Sequence, residues 1–296
     1  MTAFAFPGLN LAITTPFNSR GNVDFERLDD LVERYLAAGV DGIVFSSGTG
    51  MHVYLTAEES KAVIERGARV VSGRAKVIAQ TSALLTADVV RRTQIAKDAG
   101  ADGVMVLPPF FEGPSDDDGI FDFYAEVANV GLPIIGYNVP QAVGVRITPD
   151  LLRKLCTLPE FQAVKDSSGD LIAQVSLIGT GLGVINGADP LVPFSQLAGC
   201  SGLIWGGANI APRACVAVVK AAREKRWDDV RALWVLLEPL MSLLWQGDYV
   251  QSVYAAAELT GYSPGRVRKP FRSLSGERVD ALRAALGPLI GQESAK

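Results

Sequence analysis

The sequence predicts a closed (β/α)8 barrel, a TIM barrel of the α/β class, with a C-terminal helical domain, and three observations lead there. Short apolar, β-branched runs alternate with longer stretches of helical period through the first three quarters of the chain. There are eight such units of roughly 27 residues each, which suits a barrel of about 250 residues. The joint "AGVDGIV" (38–44) recurs as "AGADGVM" (99–105), and in each a glycine, Gly39 or Gly100, closes a helix before a buried strand begins. Runs apolar on both faces that alternate with helices belong to a parallel sheet covered on both sides. An open doubly wound sheet is the competing architecture; eight regular units without a glycine-rich dinucleotide turn disfavour it.

In chain order the expected strands are "LNLAITT", "DGIVFSS", "KVIAQT", "DGVMVL", "PIIGYN", "FQAVKD", "GVINGA" and "SGLIWGG". Between them lie amphipathic stretches such as Asp24–Ala38, Ala57–Val71, Ala87–Ala99 and Gly119–Val130, read as helices. After Arg223 the strand pattern stops. "WDDVRALWVLLEPLMSLLWQ", "DYVQSVYAAAELT" and "GERVDALRAALGPLI" are helical in period, with "GYSPGRVRKPFRSLS" as a turn-rich connector. The expected division is a catalytic barrel over residues 1–223 and a helical domain over 224–296.

Composition narrows the function. A net charge of −4 offers no basic field for nucleic acid or an anionic membrane, so neither is an expected partner. Cys156, Cys200 and Cys215 are too few and too far apart for a disulfide framework or a zinc knuckle, and read as buried apolar residues. With one histidine, His52, no His-based metal site is expected. The N-terminal "MTAFAFPGLNLAITTPF" lacks a basic leader and is interrupted by Pro7-Gly8, and no run reaches the ~18 apolar residues of a membrane span. A reducing cytoplasm is the expected location.

Chemistry in such barrels sits at the C-terminal ends of the strands. That rule puts Lys165 at the end of the sixth strand and Tyr137 at the end of the fifth, both projecting inward on neighbours about 5 Å apart. An amine drawn out of water favours its neutral form, which attacks a ketone to give a Schiff base. The iminium then withdraws electrons from the adjacent carbon, so C–C bonds beside it break or form. A phenol one strand away suits the proton transfers this needs. The bland alternatives are a lysine snorkelling to solvent or paired with Asp166, and a rim tyrosine; strand alternation turns Asp166 away from Lys165. A keto acid also brings a carboxylate. "SSGTG", Ser46 to Gly50, ends the second strand, where Gly48 and Gly50 let backbone N–H groups converge on an anion and Thr49 adds a hydroxyl.

These residues carry a resemblance. "YNVP" (137–140) and "VKDSSGD" (164–170), supported by "AITTPF" (12–17), "GVDGIVFSSGTG" (39–50), "GLIWGGANIAP" (202–212) and "VRKPF" (267–271), are similar to the dihydrodipicolinate synthase/N-acetylneuraminate lyase family of pyruvate-dependent class I aldolases. Order and spacing hold over nearly the whole chain. The resemblance implies Lys165 as the Schiff-base lysine, Tyr137 as the proton-transferring phenol and Thr49 as part of the carboxylate pocket. It also implies pyruvate and an aldehyde as small-molecule partners, no metal or organic cofactor, and a homotetramer or homodimer.

Departures from the family pattern set the limits. The usual Gly-Thr-Thr-Gly-Glu or Gly-Ser-Thr-Gly-Glu is here Ser47-Gly48-Thr49-Gly50-Met51. The synthases borrow a relay tyrosine from a neighbouring subunit's loop after strand four; here that loop reads "PPFFEGPS", and Phe111 holds the matching place. They also follow Tyr-Asn-x-Pro with Gly-Arg, whose arginine grips the second substrate's carboxylate; here Gln141 and Ala142 stand there. The expected outer pocket is therefore shaped by Met51, His52, Tyr54, Gln141, Val143 and Trp205. His52 reads either as a second acid/base or as a loop histidine bonded to backbone, and Trp205 as a substrate wall or as barrel packing.

The leading expectation is a Schiff-base lyase acting on a 2-keto acid with pyruvate as product or substrate, distinct from a true dihydrodipicolinate synthase. A keto-deoxy sugar-acid dehydratase using the same lysine is the alternative, suggested by Gly48-Thr49-Gly50. A keto-acid-binding protein without turnover is the second.

Overall fold

The computed structural model describes residues 6–113, 116–287 and 289–293. Eight parallel strands close into a barrel in sequence order: β1 (Gly8–Ala12), β2 (Gly42–Phe45), β3 (Lys76–Gln80), β4 (Gly103–Val106), β5 (Ile134–Asn138), β6 (Phe161–Asp166), β7 (Gly183–Asn186) and β8 (Gly202–Trp205). Closure is the β1–β8 pairing, where Leu11 lies opposite Trp205.

Strand alternation divides the apolar side chains into two layers. Ala12, Val44, Ile78, Met105, Ile135, Ala163, Ile185 and Ile204 fill the barrel interior over Phe6, while the larger outer layer lies between strands and helices. The helices begin where the sequence offers caps. Asp24 accepts from Arg27 N at 3.1 Å to start Phe25–Ala38, and Thr56 forms a capping box with Glu59 to start Ala57–Val71. Gly39, at φ 92°, supplies the left-handed residue that ends the first of these.

Several runs leave the sheet earlier than their apolar character suggests. In "LNLAITT" the ladder gives way at Thr14 and Thr15, because Thr14 N donates to Asn209 Oδ1 at 3.0 Å and the Thr15 hydroxyl to Gly50 O at 2.7 Å. Side-chain partners and loop carbonyls replace the neighbouring strand there.

Beyond Arg223 the described residues form helices Trp227–Trp245, Tyr249–Leu259, Gly276–Leu286 and Leu289–Glu293. The run expected as one helix to Ile290 breaks at Gly287, whose φ is 39°. The break turns Glu293 onto the start of the helix Pro212–Arg223, where its carboxylate accepts from Ala214 N at 2.9 Å and Arg213 N at 3.3 Å. Trp227–Trp245 packs along Pro212–Arg223 and reaches the turn Asp189–Leu191 at the mouth of the barrel. No helix among the described residues is long and apolar enough to cross a membrane.

Candidate active site

β5 and β6 run in register with Tyr137 opposite Lys165 and Asn138 opposite Asp166. One residue of each pair faces inward and the next outward. Lys165 points into the mouth, 6% exposed, with Nζ 4.0 Å from the centroid of the Tyr137 ring. Asp166 points away and accepts from Asn138 Nδ2 at 2.6 Å, Ser168 Oγ at 3.0 Å and Gln174 Nε2 at 3.2 Å. It therefore ties down the loops after β5 and β6 and is not the lysine's counter-ion; burial raises its carboxyl above the ordinary value against those donors. Gly187 makes room for the lysine, because a Cβ there would lie 2.4 Å from Lys165 Cε and 2.2 Å from Ser167 Oγ.

The turn after β2 brings Thr49 to the same cavity. Ser46 and Met51 adopt left-handed backbone, at φ 54° and 61°, and the turn closes through Met51 N to Gly48 O at 3.0 Å and His52 N to Ser47 O at 3.1 Å. Gly50 is required by close approach: a Cβ there would meet Ile13 O at 2.9 Å. Gly48 and Thr49 line the cavity, whereas Gly50 sits behind them and holds the Thr15 hydroxyl.

The cavity, about 500 Å³, is completed by Val139, Gln141, Ala142, Ser167, Ser168, Gly187, Ile204 and Gly206. Four more lining residues, Leu244, Trp245, Tyr249 and Val250, come from the C-terminal helices, joined there by Gly247. Sequence reasoning missed this wall. Gly187 and Gly206, just after β7 and β8, were likewise not singled out, and nothing in a helical period says which barrel loop a helix will cover. Trp245 lies over Gly169 of the loop after β6, where an added Cβ would meet the indole at 3.0 Å. The Tyr249 hydroxyl donates to Asp189 Oδ2 at 2.8 Å and has the Thr49 hydroxyl as a further hydrogen-bonding neighbour. Asp189 also accepts from Gly207 N at 3.0 Å. Burial pushes its carboxyl up to about 6, against the downward pull of these donors and of the Lys165 charge.

Five of the six residues expected in the outer pocket, Met51, His52, Tyr54, Val143 and Trp205, do not line this cavity, and neither does Phe111. Met51 is 1% exposed within the outer apolar layer, because its left-handed backbone turns the side chain inward from the loop. His52 is not among the lining residues and has Nε2 3.0 Å from Gln80 Nε2 of β3; burial, then the charges of Arg92 and Lys165, lower it to about 4. Trp205 faces outward from β8 and packs against Trp234, ring centroids 6.3 Å apart, while its neighbour Ile204 takes the inward position. Phe111 is 79% exposed at φ 56° and lines a separate surface depression with Phe110 and Pro109. Tyr54 packs edge-on to Phe271, and Val143 ends the short helix after β5 without reaching the cavity. Gln141 and Ala142 do line it, and Gln141 Nε2 donates to Ser167 O at 2.7 Å.

The model of the dihydrodipicolinate synthetase family matches residues 5–288. The 4-hydroxy-tetrahydrodipicolinate synthase of Methanoculleus marisnigri is 35% identical over 288 residues, 95% of this chain and 98% of that one. The enzyme of the same name from Bacillus subtilis is 30% identical, covering 96% and 99%. Among solved structures, the chloride-inhibited dihydrodipicolinate synthase of Acinetobacter baumannii complexed with pyruvate superposes with a TM-score of 0.91 at 30% identity, over 97% of this chain and 99% of that one. A family match over nearly the whole chain, on a barrel that carries a buried lysine at the C-terminal rim, makes this chain a member of the dihydrodipicolinate synthetase family and an aldolase-type lyase.

Proposed function

We propose that this protein forms a Schiff base between Lys165 and the ketone of pyruvate and uses it to make or break the C–C bond of a 2-keto acid. The observation that carries this reading is the in-register pairing of Lys165 with Tyr137 at the barrel mouth. The amine adds to the keto carbon, the carbinolamine loses water, and the iminium releases a methyl proton to give the nucleophilic enamine. Tyr137 is the group placed to move protons during addition and dehydration. Thr49, with Gly48, receives the carboxylate, and the Tyr249–Asp189 pair behind Thr49 orients its hydroxyl.

Curated relatives are named 4-hydroxy-tetrahydrodipicolinate synthase, yet we assign this chain a different second substrate. Ala142 occupies the place where the synthases grip a second carboxylate with arginine, and Lys165 is the one charged side chain among the described lining residues. Arg146, the nearest arginine in sequence after that position, is exposed and off the cavity wall. Loss of a charge-assisted contact of about 1.5–3 kcal/mol predicts poor condensation of pyruvate with aspartate semialdehyde. The dehydratase alternative predicts loss of water without release of pyruvate. We further propose that the protein assembles with a second copy through the Phe110–Phe111 loop and acts in the cytoplasm.

Borohydride reduction in the presence of pyruvate, followed by peptide mass spectrometry, is the test. A reduced three-carbon adduct is expected on the peptide carrying Lys165 and absent from Lys165→Ala. An adduct on another lysine, or none at saturating pyruvate, would sink the reading.

A further inference from the structure

We propose that the second substrate is an aldehyde whose substituent is apolar and uncharged, an aryl or alkyl group lying along Val139, Ala142, Leu244, Trp245 and Val250. This inference rests on the pyruvate reading above and specifies what the rest of the same cavity accepts.

Charge is the first argument. With Lys165 committed to the keto acid, no described lining residue remains to pair with a second carboxylate or phosphate. The second is that several polar side chains at the rim already donate within the protein. Gln141 Nε2 donates to Ser167 O at 2.7 Å, Ser167 Oγ to Gly187 O at 2.9 Å, and Ser168 Oγ to Asp166 Oδ2 at 3.0 Å. Tyr249 donates to Asp189. A polyol entering here would shed water for the lone pairs of these oxygens and the second N–H of Gln141, while its carbons met a largely apolar outer wall. The third is shape. The cavity of about 500 Å³ far exceeds a three-carbon acid, and its outer part is walled by aliphatic carbons and an indole. Trp245 is 39% exposed and held against Gly169, so its ring is presented as a surface rather than sunk into the core.

The chemistry balances without a co-reactant. The enamine carbon of the lysine-bound pyruvate attacks the aldehyde carbon, one C–C bond forms, and the aldehyde oxygen takes up a proton. Water then hydrolyses the iminium, returning the water lost in its formation and freeing Lys165. The net reaction joins pyruvate and the aldehyde into a 4-hydroxy-2-oxo acid, with no change in overall oxidation level.

The test compares benzaldehyde, butanal, glyceraldehyde and aspartate semialdehyde as partners of pyruvate, with borohydride trapping of pyruvate run alongside. The apolar aldehydes should exceed glyceraldehyde and aspartate semialdehyde in kcat/KM by about 10- to 100-fold, the return on burying one apolar substituent. Trp245→Ala should raise KM for benzaldehyde about tenfold with kcat little changed, and Trp245→Phe should restore most of it. Circular dichroism checks that both variants fold. Equal or better use of glyceraldehyde or aspartate semialdehyde, with trapping intact, would overturn the substrate class and leave the Schiff-base reading standing. Unchanged KM in folded Trp245→Ala would likewise overturn it. Absence of trapping would overturn both.

Discussion

Tyr249 donates its hydroxyl to Asp189 across the seam between the C-terminal helices and the loop after β7, at 2.8 Å. Because Thr49 is the other neighbour of that hydroxyl, the pair holds from behind the residue assigned to the substrate carboxylate. Both hydroxyls crowd Gly206, where an added Cβ would sit 2.3 Å from Tyr249 Oη and 2.7 Å from Thr49 Oγ1. Tyr249→Phe should lower kcat/KM for pyruvate roughly tenfold, the equivalent of one good hydrogen bond in a dry site. Borohydride trapping rates as a function of pyruvate concentration are the measurement. An unchanged rate would show that Thr49 needs no such support.

Gly187→Ala is expected to be more damaging. Its methyl group would overlap Lys165 Cε at 2.4 Å and Ser167 Oγ at 2.2 Å, so the lysine must leave its place over Tyr137. Adduct formation should fall by about 100-fold or more, in keeping with misplacing a reacting group by an ångström. The thermal midpoint tells displacement from unfolding, and normal trapping in a folded variant would contradict the packing argument.

His52 makes a pH prediction. Its folded value lies near 4 against an ordinary 6.5, since burial and the Arg92 and Lys165 charges oppose protonation. The unfolded chain binds the proton first, so this contribution is full above about 6.5 and is lost as pH falls toward 4. Relative to His52→Gln, the wild type should lose on the order of 2 kcal/mol of stability between pH 7.5 and pH 4.5. Paired denaturant titrations at the two pH values decide it; parallel behaviour would mean that the imidazole is protonated in the folded state.

Phe111 bears on assembly. A phenyl ring 79% exposed beside Phe110 leaves an apolar patch that a second copy would cover. Phe111→Ala should weaken association, by about 3 kcal/mol or more if the ring is fully buried there. Phe111→Tyr should leave association intact. Sedimentation at micromolar protein reads both, and a clean wild-type monomer would refute the interface.

Much of the frame could be read from residues alone, for a physical reason. Eight buried strands each need a mainly apolar run, and two-residue alternation by itself separates Lys165 from Asp166. The same alternation was harder to apply at β8, where both Ile204 and Trp205 suit a core, and only the register to β1 shows that the indole faces outward. Met51 and His52 were misplaced because a left-handed residue in the turn redirects everything after it. Tyr249 and Trp245 carried no signal of their role: their helices look like any amphipathic pair until tertiary packing sets them on the rim.

Trp245 resting on Gly169 has a consequence for where in the chain changes of selectivity would be felt. The lysine comes from β6, while the indole that covers the loop after it comes from the helix Trp227–Trp245. On the proposed reading, substitutions along that helix should alter the choice of partner and leave adduct formation at Lys165 in place.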